Sequence, residues 1–130
     1  MNHIPFCFDQ RLDREFLQSV YDDDLEHATE IFSLFVDMAP GLLKDMEASF
    51  SLGEWEELRC RVHQIKPTFS FVGLTQLTKN AEKLEQGCTR TPDGRYLNEL
   101  YDEFKNNYAR GFPIVERELE RLKNQINQRV

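Results

Sequence analysis

The sequence predicts an all-α protein, an antiparallel up-and-down four-helix bundle with a short N-terminal helix that caps one end. Apolar residues recur at steps of three and four along most of the 130 residues, and no alternating strand pattern competes with them. Short connections between these amphipathic segments favour antiparallel neighbours. The length suits a single domain, 1–130, which can bury one core without disulfides or a structural metal.

The first half of the chain predicts an arm and two helices. Residues 1–8 are apolar but interrupted by a proline, and we expect them to lie on the core as an extended arm. A short helix is predicted from about Asp9 to Tyr21. A long helix from about Leu25 to Ser51 contains Pro40 next to a glycine, which predicts either a kink or two helices packed end to end.

The second half predicts the remaining helices. One runs from Glu54 to near Gly73, and the next continues from there to about Gly87, since glycine commonly follows a helix end. Residues Thr89 to Gly94 are rich in turn formers and predict a hinge-like loop. The last helical stretch holds apolar residues at 97–108 and resumes at 115–126 after a Gly and a Pro.

Composition and charge argue against several classes of function. The net charge of −7 and the pI near 5.0 disfavour nucleic acid or an anionic membrane as the main partner, because both select basic surfaces. Three cysteines without a CxxC pair indicate neither a disulfide framework nor a zinc site. No stretch approaches the roughly 18 apolar residues of a membrane span, and no secretory signal pattern opens the chain. We therefore expect a cytoplasmic protein.

The main chemical signal is His63, on the third predicted helix. The apolar stripe of that helix comprises Trp55, Leu58, Val62, Ile65, Phe69 and Val72. His63 points about 130° away from the centre of this stripe, into a solvent-facing sector that it shares with Arg59, Lys66 and Ser70. An uncharged imidazole is a nitrogen nucleophile, and Lys66 one turn on could neutralise charge on an attached phosphoryl group.

No self-sufficient active site accompanies this pair. His27 and Glu30 lie one turn apart but lack a third metal ligand within motif spacing. The sequence has no HExxH, no Gly-rich phosphate loop and no GxSxG. We therefore predict no resident metal and no cofactor. We also expect no carboxylate cluster beside His63, since Glu56 is two turns away.

The residues around His63 follow a recognisable pattern. In order, they are His63, Ile65 at +2, Lys66 at +3, Thr68 at +5, Gly73 at +10 and the downstream pair Leu84-Glu85. This pattern resembles the motif of the histidine phosphotransfer (HPt) domains of multistep two-component phosphorelays. The resemblance covers nearly the whole chain and is looser after about Asn107. It departs at Pro67, where the family more commonly has Gly.

The resemblance implies a four-helix bundle and roles for two residues. His63 would accept and donate a phosphoryl group, and Lys66 would stabilise its oxygens. The partners would be receiver domains of response regulators or hybrid histidine kinases, with Mg²⁺ bound in the acidic pocket of the receiver. The chain would be a phosphocarrier without kinase activity of its own, and we expect a monomer.

A docking surface is predicted around the histidine. We expect Arg59, Pro67, Ser70, Phe71 and Gly73 to contact the partner. Phe71 lies nearly opposite the apolar stripe, which predicts an exposed aromatic anchor unless the helix end turns it inward. Gly73 has a second interpretation, because it can simply end the helix.

Two alternatives to this interpretation stay open. A histidine-kinase dimerisation domain has an acidic residue after its histidine and a proline at +5, whereas here Gln64 follows and Pro67 stands at +4. A non-catalytic helical adaptor, in which His63 is incidental, needs no phosphoryl chemistry. Phosphoryl uptake by His63 separates the adaptor from the other two interpretations.

Overall fold

The computed structural model describes residues 6–128, and every regular element in that range is a helix. The helices are α1 (Arg14–Tyr21), α2 (Leu25–Ser51), α3 (Trp55–Phe71), α4 (Thr75–Arg90) and α5 (Gly94–Gln128). Helices α2 to α5 form a ring in which each packs on its sequence neighbour and α5 returns to α2. The shorter α1 lies on α2 and α3. The helical bundle predicted from the sequence is confirmed.

The core is a single cluster that all five helices share. Its largest fully buried side chains are Tyr21, Tyr101, Phe8, Phe32, Phe69, Phe104, Leu17, Leu25, Met46, Leu58, Ile65 and Leu84. Burying a side chain of this kind contributes about 1.5–3 kcal/mol. Within α3, four residues of the predicted stripe belong to the core cluster. The opposite face of α3 is therefore open to solvent and to partners.

Three residues that were predicted to interrupt or end a helix do not do so: Pro40, Gly87 and Pro113. Helix α2 runs unbroken through Pro40, so the alternative of two helices packed end to end is wrong. Helix α5 is likewise continuous through Pro113. A proline inside a helix lowers the stability of that helix by about 3 kcal/mol. The burial of apolar residues on both sides of each proline offsets this loss. Helix α4 continues past Gly87 to Arg90, and the predicted loop shrinks to residues 91–93.

The N-terminal segment is fixed to the bundle by buried rings and by hydrogen bonds. Phe6 and Phe8 are buried; residues 1–5 of the predicted arm lie outside the described residues. The backbone N–H of Asp9 donates to the buried Glu118 carboxylate on α5, at 2.6 Å. Arg121 donates to the carbonyl of Cys7 at 3.1 Å. These contacts hold the segment across α5 before α1 begins.

Helix α1 covers the C-terminal end of α3. It begins at Arg14, later than predicted, because the Asp13 side chain caps it by accepting from Phe16 N at 3.1 Å. The Tyr21 hydroxyl donates to the carbonyl of Phe71 at 2.6 Å. Helix α1 therefore occupies one of the carbonyls that α3 leaves unpaired at its end.

Candidate functional site

His63 lies in the middle of α3 and faces solvent. Its side chain is 66% exposed, as the helical spacing predicted. The ring nevertheless has a partner on the neighbouring helix, because Nδ1 lies 2.8 Å from Oε1 of Glu85 on α4. The backbone of His63 is fixed within α3, and the hydrogen bond to Glu85 on α4 fixes the orientation of its ring.

Lys66, one turn after His63, is more enclosed than the sequence predicted. Only 19% of its side chain is exposed, and Nζ lies 2.7 Å from Glu82 Oε2 and 2.8 Å from Glu85 Oε2. The expectation that no carboxylates lie beside His63 is therefore wrong. The two carboxylates come from α4, and their pairing with α3 depends on how the helices dock. The sequence offered a signal in the motif residue Glu85, but it gave no role to Glu82.

The ionisation of Glu85 settles which ring nitrogen of His63 carries hydrogen. Burial acts to raise the pKa of Glu85, but hydrogen bonds from Lys66 and His63 outweigh it and lower the pKa. An ionised carboxylate can only accept hydrogen bonds. Nδ1 of His63 must therefore be the donor in the uncharged imidazole, and Nε2 keeps its lone pair. The geometry presents a nucleophilic nitrogen at an exposed position on a rigid helix.

Arg59 and Ser70 share the His63 sector, but each is engaged within the domain. Both guanidinium nitrogens of Arg59 that face Glu56 bond to its carboxylate, at 3.0 Å from Nε and 2.7 Å from one terminal nitrogen. Ser70 Oγ lies 2.9 Å from Thr78 Oγ1, which ties α3 to α4. A partner would thus meet a neutralised Arg59 and a hydroxyl that is already bonded.

Pro67 is exposed on the same side as His63, within an uninterrupted α3. Proline has no N–H to give the carbonyl four residues earlier, which is that of His63. The hydroxyl of Thr68 donates a hydrogen bond to the carbonyl of Ile65 at 2.6 Å. The proline also leaves a compact, apolar surface next to the imidazole.

Comparison with known proteins identifies the family to which this arrangement belongs. The family model described as the Hpt domain matches residues 30–128. The chain belongs to the Hpt family. No curated protein and no solved structure matches the chain. Hpt domains take part in phosphotransfer within phosphorelays and act as phosphocarriers. The match begins inside α2, so α1 lies outside it.

Gly73, predicted to contact the partner, is buried under the N-terminal segment of this Hpt domain. It has a φ of +80°, and a Cβ at this position would lie 2.8 Å from Leu12 Cβ and from Leu17 Cδ1. Its carbonyl accepts from Asp13 N at 2.9 Å. The prediction of a partner contact is therefore wrong for the folded domain. Glycine is required here by the turn after α3 and by the close approach of the segment before α1.

Phe71 is 41% exposed and forms one wall of an apolar groove between α2 and α3. Its ring also packs on Phe16, with centroids 6.2 Å apart, so one face is supported by α1. Met38, 52% exposed, and Leu34 lie on the α2 side of the groove. The groove is lined by Ile31, Leu34, Phe35, Met38, Ala39, Leu42, Ile65, Thr68 and Phe71. The sequence analysis did not predict this groove, because it forms only when α2 and α3 pack together.

The described residues hold neither a cluster of metal ligands nor a membrane-spanning helix. Within 6–128, His, Cys, Asp and Glu side chains form no group of three or more that could hold a metal ion. None of the helices in this range combines the length and the hydropathy that a bilayer crossing requires.

Proposed function

We propose that His63 is the phosphoryl carrier of this Hpt domain, accepting the group from the aspartyl phosphate of one receiver domain and passing it to the aspartate of another. The observation that carries the proposal is the 2.8 Å contact of Nδ1 with Glu85 Oε1, beside an imidazole that is 66% exposed. The contact directs the lone pair of Nε2 away from α4. A receiver can therefore bring its phosphoryl group to the nitrogen without moving the helices.

The transfer balances without any further reactant. The lone pair of Nε2 forms a bond to phosphorus while the bond from phosphorus to the aspartyl oxygen breaks, and that electron pair leaves with the aspartate carboxylate. The ring then carries a positive charge, with its proton still on Nδ1. The Glu85 carboxylate stabilises this charge as a buried aspartate stabilises the imidazolium of a serine protease triad. Passing the group to the next receiver reverses these changes.

Lys66 supplies positive charge on the same helix. Residues three apart in a helix are neighbours on its surface, so the Lys66 ammonium is on the same face as His63. Phosphoryl transfer has little need of covalent help from the protein and depends on positioning and on neutralising the equatorial oxygens. Lys66 is proposed to meet those oxygens as a point charge. Mg²⁺ is proposed to come with the receiver, and the domain itself needs no cofactor.

The docking surface is proposed to be the α2–α3 face, from Pro67 to the apolar groove. Exposed aromatic and long apolar side chains such as Phe71 and Met38 are typical anchors of protein interfaces. The groove lies beside the His63 helix, so one partner can fill it while its active site covers the imidazole. We further propose that the domain acts as a monomer, with 1–130 as one unit and no kinase activity of its own.

The proposal is tested by phosphoryl transfer from a panel of labelled receiver domains in Mg²⁺. The wild-type protein should take up label that is acid-labile and alkali-stable, as a phosphoramidate is. His63→Gln should take up none while its circular dichroism stays unchanged, and His27→Gln, a second exposed histidine, should label normally. Undiminished labelling of His63→Gln would refute the proposal.

The same experiment separates the alternatives. A helical adaptor would bind receivers without taking up label. A histidine-kinase dimerisation domain would label from ATP when a kinase catalytic domain is added, and would not label from receivers alone. Label that appears from receivers and not from ATP supports the phosphocarrier.

A further inference from the structure

Glu82 forms an ion pair with Lys66 and one further hydrogen bond within its own helix. Its Oε2 lies 2.7 Å from Lys66 Nζ, and its Oε1 accepts from Gln86 Nε2 at 3.1 Å. Among residues 6–128 it makes no other hydrogen bond or ion pair, and it lies on the exposed side of α4. Glu85 differs, because it is mostly covered and already serves His63. Glu82 can therefore be changed without disturbing the core, and the change should act on the site through Lys66.

The charges around the imidazole favour the state without a phosphoryl group. An uncharged His63, the Lys66 ammonium and the carboxylates of Glu82 and Glu85 sum to one negative charge. A phosphoryl group brings about two negative charges while the ring gains one positive charge, so the site becomes more negative by about one charge. The hydrogen bond from Lys66 lowers the pKa of Glu82, so this carboxylate is ionised whenever phosphotransfer takes place at neutral pH. The incoming group thus meets a lysine whose charge is already neutralised.

We propose that Glu82 competes with the phosphoryl group for Lys66 and thereby sets the equilibrium between phosphohistidine and receiver aspartyl phosphate. The inference rests on the proposed function of His63. While Glu82 and Glu85 share the ammonium, the phosphorylated state lies higher in free energy than it would with Lys66 available. The group is then passed on to the next receiver more readily. Glu82 contacts no reacting atom and is a positioning residue that acts through Lys66.

Removing one of these charges has a predictable size. Water and salt weaken the interaction between two unit charges at an exposed site. We therefore expect the loss of one charge to change the equilibrium constant by roughly three- to tenfold. Glu82→Gln keeps an amide oxygen that can accept from Lys66 but removes the charge. The ratio of phosphohistidine to aspartyl phosphate should rise by that factor.

The test measures this ratio at equilibrium for the full chain and one receiver in Mg²⁺. Glu82→Gln should raise it about three- to tenfold, with an unchanged melting temperature. Glu99→Gln is the matched control, because Glu99 is exposed on α5 and forms no ion pair in the described part of the chain. In a Lys66→Ala background the effect of Glu82→Gln should fall to less than twofold, because there is no ammonium left for Glu82 and the phosphoryl group to compete for.

The outcomes are distinguishable. An unchanged ratio in Glu82→Gln, an equal rise in Glu99→Gln, or a full effect that persists without Lys66 would each overturn the inference while leaving His63 as the carrier. Failure of the wild-type protein to take up label would instead overturn the proposed function, and this inference with it.

Discussion

The Nδ1 atom of His63 lies 2.8 Å from Oε1 of Glu85, across the contact between α3 and α4. The two residues are separated by 22 positions in the chain, and no local rule of helix geometry brings them together. The carboxylate bonds to Nδ1 and does not contact Nε2, the nitrogen proposed to react. This arrangement fixes the tautomer and leaves Nε2 uncovered.

The first prediction follows from this contact. In Glu85→Gln the amide can donate as well as accept, so both imidazole tautomers become populated. Transfer to His63 should slow by about tenfold to a hundredfold, less than the loss in a buried triad, because this ring is solvated. Nitrogen chemical shifts of the ring should show the loss of the Nδ1–H tautomer. Glu82→Gln is the control and should leave the tautomer unchanged; an unaltered tautomer ratio in Glu85→Gln would contradict the argument.

The second prediction concerns Lys66. Lys66→Ala should slow transfer and should lower the free energy of unfolding by about 1 kcal/mol. In this variant Glu85 still bonds to His63 but no longer has the Lys66 ammonium as a partner. Transfer rates and urea unfolding measure the two effects separately. Lys79→Ala, on the exposed surface of α4 and without an ion pair among the described residues, should change neither. If unfolding becomes much easier while transfer persists, Lys66 is a structural residue.

The third prediction concerns the groove between α2 and α3. Met38→Ser should weaken receiver binding about tenfold, as expected for a side chain near the centre of an interface, with little loss of stability. Phe71→Ser should weaken binding similarly and also lower stability, because its ring packs on Phe16. Leu52→Ser is the control, since Leu52 is 71% exposed in the turn between α2 and α3, outside the groove. Equal affinities for all three variants in calorimetry would exclude this docking face.

The fourth prediction is about the turn after α3. Gly73→Ala should destabilise the protein by about 1–3 kcal/mol or more, because alanine is strained at a φ of +80° and its Cβ would clash with Leu12 and Leu17. Gly41→Ala is a matched control in the interior of α2. A Cβ there meets nothing within 4 Å, so the change should stabilise the protein by up to about 1 kcal/mol. Thermal unfolding of both variants decides; equal effects would show that the turn tolerates a side chain.

The fifth prediction is a dependence on pH. Hydrogen bonds from Thr75 Oγ1 and from the backbone N–H of Phe16 lower the pKa of Asp13 from its ordinary 3.8. A lowered pKa in the folded state contributes stability above the unfolded value, and the contribution disappears as the pH falls through the folded value. Asp13→Asn should therefore be less stable than wild type at neutral pH, and the two should converge as the pH falls through the lowered pKa of Asp13. A constant difference across the pH range would contradict the assignment.

The helices and the exposed position of His63 could be predicted from the sequence because both depend on local spacing. The 3.6-residue period alone places His63 about 130° from the centre of the stripe that contains the buried Leu58 and Val62, and the structure agrees. The carboxylates were missed because Glu82 and Glu85 reach His63 and Lys66 only after α4 docks on α3. The helix ends were misplaced where tertiary contacts override local signals. At Gly87, for example, the missing side chain lets Leu97 of α5 approach closely, and the helix does not end there.

The hydrogen bond from Tyr21 to the last turn of α3 bears on how this domain can be moved between proteins. The family match starts at residue 30, inside α2, yet Phe8, Leu17 and Tyr21 lie in the core before that point. A fragment cut at residue 30 would lose Phe16, on which the Phe71 ring packs, and the first turn of α2. Anyone grafting the domain into a chimeric relay should therefore include the segment before α2, since the shorter piece lacks the cover over one end of the proposed docking face.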